Sequence, residues 1–572
     1  MNIYDIVDLI LAKLSSNPAL DIKLEIDDDI FVRIRNLLSG YKLFPNYEAY
    51  NLVKIDKCDD LAQQYREKGN DFFRKRKFFS ALCAYNKSIC FSKAHSENMG
   101  LAFANRSAVF YEIDEPHLCH ANITLAKHHK YPSEKLLKLE ERDKKCKASN
   151  SIKPKTSKLL QLTHKVNPKY PFIINCLSLK LNKEFGRHVV TTNILKAGNV
   201  IAIEPHFNGI LLSDQVFKRC TNCLGQFNLN LLPCEHCVSA MFCSQHCKDE
   251  ANKKFHKYEC DMNLEGIGKF FTVAVRASMR TFIEALFIFD GIERLKNFLK
   301  EHKDIAFTAF DVDKSSSDQT YHQQLFMTLC SLCSNEERRS TVENFRRAIV
   351  CVILYEYLIL NSSLQNILRS DENGKFFMNF MFKHIQIAES NFHELYSLKA
   401  EKMEQSNEQF GVGSFPFASL LNHSCLPNVF RLSSDGLNYV IVARHIEKGE
   451  QIFDNYGYHH SIHTLQQRRN GLVDRYQFNC CCDACVNNFP LFEELLEKDK
   501  DFDTFISNDL EEFEKFNTEK AERAIKRYSK YIENHDKNIP SYEITLIQEC
   551  MLRCFRILER SKSMFNLNFI ET

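Results

Sequence analysis

Apolar residues keep a helical spacing over most of this chain and alternate with polar ones in only two windows. Residues 1 to 58 carry Ile6, Leu9, Ile10 and Ala12 on a ragged apolar face and read as a lead-in helix pair. From Ala62 the pattern tightens. Tyr65, Gly69, Phe72 and Phe73 are followed by Phe78, Ala81 and Tyr85, then by Leu101-Ala102-Phe103-Ala104-Asn105-Arg106-Ser107-Ala108. Gly69 and Ser107, 38 residues apart, are the small residues of two successive helix pairs, with a longer loop around His95 to Gly100. A third, poorer unit runs from Lys135 to Cys146. The Lys-rich stretch 144–169, with Ser149, Ser151, Pro154 and Ser157, has no sustained apolar period and reads as a linker. Val189, Val190, Thr191, Thr192, Val200, Ile201 and Ile203 bracket Ala197-Gly198-Asn199 and predict a hairpin over 185–205. Residues 264–409 read as mostly helical, 438–453 as strand-like, and amphipathic helices run past Pro490 to the end. The fold class is α+β with helical flanks.

At 572 residues the chain exceeds a single hydrophobic core, so three or four packed units are expected. A net charge of +2 creates no global field for nucleic acid or anionic lipid, which argues against a dedicated DNA-binding protein. The longest apolar run, Ala348 to Leu360, is short for a bilayer and contains Glu356, and Asp5 and Asp8 break up any leader-like start. The expectation is a soluble, intracellular protein, cytoplasmic and nuclear, monomeric and without a membrane partner. In such a reducing compartment the 23 cysteines are not disulfides, and their spacing carries the information.

Cys220-x2-Cys223, Cys234-x2-Cys237, Cys243-x3-Cys247 and His256-x3-Cys260 fall within 41 residues. Seven thiols and one imidazole make two complete tetrahedral sets with no position left for water, so these zinc sites should be structural. The spacing resembles the MYND zinc finger, whose cross-brace implies Cys220, Cys223, Cys243 and Cys247 on one ion, and Cys234, Cys237, His256 and Cys260 on the other. A second cluster, Cys480-x-Cys482-x2-Cys485, lacks a fourth ligand, and the nearest upstream candidate is Cys425. Cys481 reads as a bystander, and Cys330-x2-Cys333 as two buried core cysteines.

Ser419-Leu420-Leu421-Asn422-His423-Ser424-Cys425, with Gly449-Glu450-Gln451-Ile452-Phe453-Asp454-Asn455-Tyr456-Gly457 downstream, resembles the SET methyltransferase fold. Tyr476-Gln477-Phe478-Asn479-Cys480 resembles its post-SET segment, in which Cys480, Cys482 and Cys485 join Cys425 around a third zinc. The helix pairs from Ala62 resemble tetratricopeptide repeats. A SET domain split by a MYND finger and preceded by such repeats resembles the SET and MYND domain-containing family, its tetratricopeptide-bearing type-four branch and insect relatives. The resemblance covers about residues 60 to 485. It implies a helical lead-in (1–58), repeats (59–147), linker (148–169), SET amino-terminal part (170–219) and finger (220–260). A helical SET insert (261–410), catalytic core (411–475), post-SET segment (476–487) and helical carboxy-terminal domain (488–572) follow.

The same resemblance implies S-adenosylmethionine as methyl donor and the lysine of a protein substrate, histone or not, as acceptor. Gly186, Arg187, Ser419, Asn422, His423, Tyr456 and Phe478 are the implied cofactor contacts, and Tyr456 and Tyr476 the implied catalytic walls of the lysine channel. The family's opening motif is a basic residue followed by Gly-x-Gly; here it reads Phe185-Gly186-Arg187-His188. The alternative reading is a catalytically weak scaffold that recruits partners. MYND relatives bind proline-containing peptides. Aligned to repeats that hold the terminal carboxylate of a chaperone's acidic tail, the chain places Arg66, Asn70, Asn105, Lys138 and Arg142 at the clamp positions.

Overall fold

The computed structural model describes residues 2–16, 26–27, 29–147, 157–226, 229–398, 407–496, 502, 505–507, 509, 517–535 and 539–560. Residues 148–156 of the expected linker, including Ser149, Ser151 and Pro154, lie outside the described residues. Two helices open the chain, α1 (Ile3–Ser15) and α2 (Ile30–Gly40). Asn2 starts α1 with a reciprocal cap: its side chain accepts the Asp5 N–H while the Asp5 carboxylate accepts its own. Ile3, Ile6, Val7, Ile10 and Leu14 are buried one face deep, as the helical spacing requires.

Five repeat helices follow, α3 (Asp59–Arg74), α4 (Phe78–Phe91), α5 (Glu97–Glu112), α6 (Pro116–His128) and α7 (Leu136–Lys147). Gly69 is a close crossing: a Cβ there would strike the Tyr85 ring of α4. The loop expected around His95 to Gly100 is shorter than that. Ser96 caps α5, and Gly100 lies inside the helix, where a Cβ would strike the His129 carbonyl.

Six strands and the finger come next: β1 (Leu177–Asn182), β2 (Gly186–Thr191), β3 (Val200–Pro205), β4 (Asn208–Leu211), β5 (Leu232–Pro233) and β6 (Met241–Phe242). Helix α8 (Gln245–Ala251) leads through a π turn over Asn252–His256 into α9 (Lys257–Glu259). The insert is α10 (Leu264–Phe270), α11 (Val273–Ile288), α12 (Ile292–Glu301), α13 (Asp318–Cys330), α14 (Thr341–Asn361), α15 (Gln365–Leu368) and α16 (Asp371–Asn391). Strands β7 (His393–Leu398), β8 (Asn407–Ser414), β9 (Asn422–His423), β10 (Val429–Ser434), β11 (Leu437–Val442) and β12 (Phe453–Asp454) complete the SET part. Helices α17 (Leu465–Tyr476), α18 (Asp483–Val486), α19 (Thr518–His535) and α20 (Tyr542–Arg560) close the chain. No helix among the described residues is long and apolar enough to cross a membrane.

The sheets are small: β1-β2, β10-β11-β3, β4-β8-β7, the parallel pair β12-β9, and β5-β6. The hairpin expected over 185–205 does not form. β2 pairs with β1 (Gly186 opposite Asn182), while β3 pairs with β11 (Ala202 opposite Val440). The turn itself exists, with Gly198 at φ +86°, but it joins two sheets. The Thr192 N–H and hydroxyl both donate to the Cys176 carbonyl, which fastens the end of β2 to the start of β1. The region 264–409 is helical as far as Asn391 and then turns into β7 and β8, two strands the helical reading missed.

One core joins α1, α2, the repeats, the finger and the insert helices. Another lies between α19 and α20 and the sheet face bearing Val200, Leu432, Tyr439 and Ile441. Between repeats and finger sits Arg106, fully buried without a carboxylate partner among the described residues. It donates to the side-chain oxygens of Asn122 and Asn86 and to the Leu231 carbonyl, each at 2.7 Å, and to Asn230 at 3.1 Å. Asn86 donates onward to the Phe217 and Leu229 carbonyls. Burial pushes the Arg106 pKa down to about 9.

Candidate active site and metal centres

Three groups of side chains bring four ligand atoms each to within 4.8 Å of one another: Cys220/Cys223/Cys243/Cys247, Cys234/Cys237/His256/Cys260 and Cys425/Cys480/Cys482/Cys485. The first two reproduce the cross-brace, and Cys425 is the fourth member of the third set. Sγ–Sγ distances of 3.8 Å (Cys223–Cys243), 3.7 Å (Cys234–Cys260) and 3.5 Å (Cys425–Cys485) are close to the tetrahedron edge of about 3.8 Å that zinc–sulfur bonds of about 2.3 Å demand. The donor sets therefore fit zinc with every position filled. Cys481 is exposed, as a bystander should be. Cys333 is exposed too, so Cys330 and Cys333 are not a buried pair; the helix ends at Cys330 and the chain turns outward.

The finger is wedged into the rest of the molecule. Gln226 N–H donates to Asp435 in the β10–β11 turn at 2.9 Å, and Gly436 (φ +78°) lies so near the Cys223 carbonyl that a Cβ would collide. On the other side Glu259, between His256 and Cys260, holds Arg280 of α11 through two contacts of 2.6 Å.

The SET segment is built on a chain of internal hydrogen bonds. Glu204, fully buried, accepts from Tyr170 hydroxyl (2.7 Å), Phe417 N–H (2.7 Å) and Ala418 N–H (3.1 Å), which sets the turn leading to Asn422. The Asn422 amide donates to the Phe185 (3.0 Å) and Arg187 (3.3 Å) carbonyls, so it ties β9 to the Gly186-Arg187 strand. His423 accepts the Tyr456 N–H on Nδ1 at 3.0 Å and has Nε2 3.3 Å from Cys425 Sγ. Both imidazole nitrogens are thus spent inside the chain, and burial lowers the His423 pKa to about 4. The side chains of Asn422 and His423 position their neighbours through these bonds. Ser419 is likewise engaged, with the Asn391 carbonyl and His393, both at 3.3 Å.

Tyr456 hydroxyl donates to the Leu421 carbonyl at 2.8 Å, and Tyr476 hydroxyl to the Tyr456 carbonyl at 3.3 Å. Their rings lie 4.8 Å apart, and Phe478 stands edge-on to Tyr456 at 6.5 Å. Burial raises both phenol pKa values, so both hydroxyls stay protonated. Gly186 adopts φ +61° with open space where a Cβ would point. Arg187 donates to the Ser331 carbonyl at 2.9 Å, and its other terminal nitrogen is buried without a partner among the described residues.

Residues 186–457 match the SET domain family. The Danio rerio protein-lysine N-methyltransferase SMYD4 is 22% identical over 499 residues, which cover 75% of this chain and 66% of that protein. The Mus musculus protein of the same name is 23% identical over 566 residues, 80% of this chain and 71% of its own length. A SET and MYND domain-containing protein of Dictyostelium discoideum is 24% identical over 325 residues, 54% of this chain and 82% of its own. Residues 186–457 thus carry a SET domain, and the chain is similar over most of its length to proteins that join SET and MYND domains. It spans about two thirds of the length of its fish relative.

In this chain the sequence-predicted residues Gly186, Arg187, Asn422, His423, Tyr456, Tyr476 and Phe478 converge. Three contributors went unseen. Glu204 is isolated in sequence, Arg431 on β10 has Nε 2.7 Å from Asp454 Oδ2 of β12, and Asn335, held at φ +57°, donates to the Tyr476 carbonyl at 3.3 Å from a loop that carries no motif. In the repeats, Asn70 accepts from Asn105 at 2.7 Å and from Tyr85 hydroxyl at 3.0 Å. Arg142 turns inward to the Ala104 carbonyl and Ser107, Arg66 has a buried Nε without a partner among the described residues, and Lys138 is exposed on α7.

Proposed function

We propose that the chain transfers a methyl group from S-adenosylmethionine to the side-chain amine of lysine in a protein substrate. The paired phenols of Tyr456 and Tyr476, locked by His423 and the Leu421 carbonyl and flanked by Phe478, carry this reading. The partnerless nitrogen of Arg187 beside the open Gly186 suits the cofactor's carboxylate. Phe478 suits the adenine face, and the backbone at Asn422 and His423 the remaining polar groups. When bound, the cofactor supplies an electrophilic methyl on a sulfonium centre. The protein's share is orientation: two fixed aromatic walls hold a neutral amine in line, which removes the entropy of alignment from the barrier. The amine's proton leaves to water before transfer. His188 replaces the family's second glycine, yet its ring turns back to the Gly186 carbonyl at 3.0 Å and is buried away from the opening.

Finer assignments belong to the same reading: three zinc ions, two in the finger and one in the post-SET cluster, and a monomer active in cytoplasm and nucleus. A proline-containing peptide is assigned to the finger. Arg66, Asn70, Asn105, Lys138 and Arg142 are assigned to an acidic chain terminus such as a chaperone's. The inward turn of Arg142 requires it to swing out on binding. Calorimetry with S-adenosylmethionine, followed by labelled transfer into a cell lysate, tests the activity. Absence of heat at millimolar cofactor would favour a scaffold that recruits partners without catalysis.

A further inference from the structure

His95, His128 and His129 pack against one another where the chain enters α5 and leaves α6. Their ring centroids are 5.0 Å apart for His95–His129 and for His128–His129, and 5.4 Å apart for His95–His128. The local backbone brings them there. His95 takes φ +55° just before Ser96, the cap of α5, and His128 and His129 are the last residue and the C-cap of α6. Gly100 lets α5 approach the turn after α6, since a Cβ there would strike the His129 carbonyl. The buried Phe103 stacks on His129 at 5.4 Å, while His95 and His128 are exposed. Nδ1 of His129 is buried without a partner among the described residues, and neither His95 nor His128 has a side-chain hydrogen bond there. No other site described above uses these rings.

A zinc–nitrogen bond of about 2.0–2.1 Å puts an imidazole centroid about 3.2 Å from the ion, and tetrahedral angles then set the centroids about 5.2 Å apart. The observed spacings of 5.0 and 5.4 Å bracket that value. We propose that His95, His128 and His129 bind one divalent transition-metal ion, zinc or a first-row neighbour, outside the three cysteine clusters, with the remaining position open to water. The nitrogens do not converge as the ligands of those clusters do, so binding turns the exposed rings of His95 and His128 about their side-chain bonds. Imidazole suits zinc, cobalt, nickel and copper alike, and three neutral donors at the surface lack the charge of four thiolates. The ion therefore exchanges while the cysteine clusters stay loaded. Its ligands come from the start of one helix and the end of the next, so it staples α5 to α6 and stabilises the repeat layer in proportion to metal supply. This site stands apart from the methyltransferase reading.

The test dialyses full-length, zinc-loaded protein with and without micromolar zinc and counts the metal by mass spectrometry. The count should rise by one in the parent. His95→Gln combined with His128→Gln changes two exposed side chains and should remove that extra equivalent while the remaining zinc is kept. His120→Gln, which takes away an exposed imidazole held instead by Asp143, should retain it. Titrated Co2+ should give visible d–d bands without the near-ultraviolet sulfur charge transfer that exchange into a cysteine cluster produces. Excess zinc should raise the thermal midpoint of the parent and leave that of the double variant unmoved. A count that does not rise, an extra equivalent that survives the double variant, or cobalt bands with sulfur charge transfer would overturn the site and leave a stacked histidine cluster only.

Discussion

Glu259→Gln should loosen the second finger cluster far more than a one-atom change suggests. Glu259 and Arg280 are 3% and 5% exposed, meet through two 2.6 Å contacts, and the guanidinium also lies 3.5 Å over the Phe255 ring. Removing the carboxylate charge leaves the buried Arg280 cation facing only neutral oxygens from these partners, one amide oxygen at position 259 and the Gly209 carbonyl at 3.4 Å. Breaking one side of such a pair costs about 3–5 kcal/mol, because an uncompensated charge stays in a low-dielectric interior. Glu259 sits between two ligands, so the loss should fall on metal retention. At about 1.4 kcal/mol per decade, zinc release from the loaded protein into a chromogenic chelator should accelerate roughly 10²–10³-fold. Glu259→Met with Arg280→Met removes both charges and keeps the volume. It should sit within about 1–2 kcal/mol of the parent, well below the sum of the two single losses. Parent-like release from Glu259→Gln, or a double variant as damaged as that sum, would refute the reasoning.

Tyr456→Phe keeps the ring and its packing against Tyr476, so cofactor binding should persist while turnover falls about 10²-fold or more; a variant as active as the parent would remove Tyr456 from the channel. Cys480→Ser should lower zinc from three to two per chain by mass spectrometry and weaken S-adenosylmethionine binding about 10–100-fold, since Phe478 is two residues away. Burial raises the Glu204 carboxyl from 4.5 to about 7 despite three donors. Its folded pKa exceeds its unfolded one, so its stabilising contribution is full below pH 4.5 and lost as pH rises through 7. Glu204→Gln should flatten the denaturation midpoint across that window, and an unchanged pH slope would count against the buried carboxylate as its cause.

The metal centres were legible because ligand chemistry fixes spacing: two or three residues between thiols is what one knuckle or helical turn allows. The helix pairs were legible from Gly69 and the aromatics that fill the space beside it. The failed hairpin shows the limit. The β-branched runs Val189-Val190 and Val200-Ile201 mark both as buried strands, yet nothing local tells β2 to pair backward with β1 and β3 forward with β11, more than two hundred residues away. A motif names Asn422 and His423 as cofactor contacts without saying where their other hydrogen bonds go. Here those bonds hold the Gly186-Arg187 strand and Tyr456. Glu204, Asn335 and Arg431 stayed hidden because each acts through a partner distant in sequence.

Arg106 has a consequence for how the molecule engages its partners. With the guanidinium satisfied by amides and carbonyls from both repeats and finger, the two surfaces cannot rotate past each other without stranding a buried cation. Were the proposed repeat and finger sites both to bind one segment, it would meet its second site at a separation already set. The local concentration of that second contact is then governed by the segment's own length and stiffness, and not by any hinge in the protein. Loosening the joint at Arg106 would weaken two-site ligands while leaving single-site ones untouched.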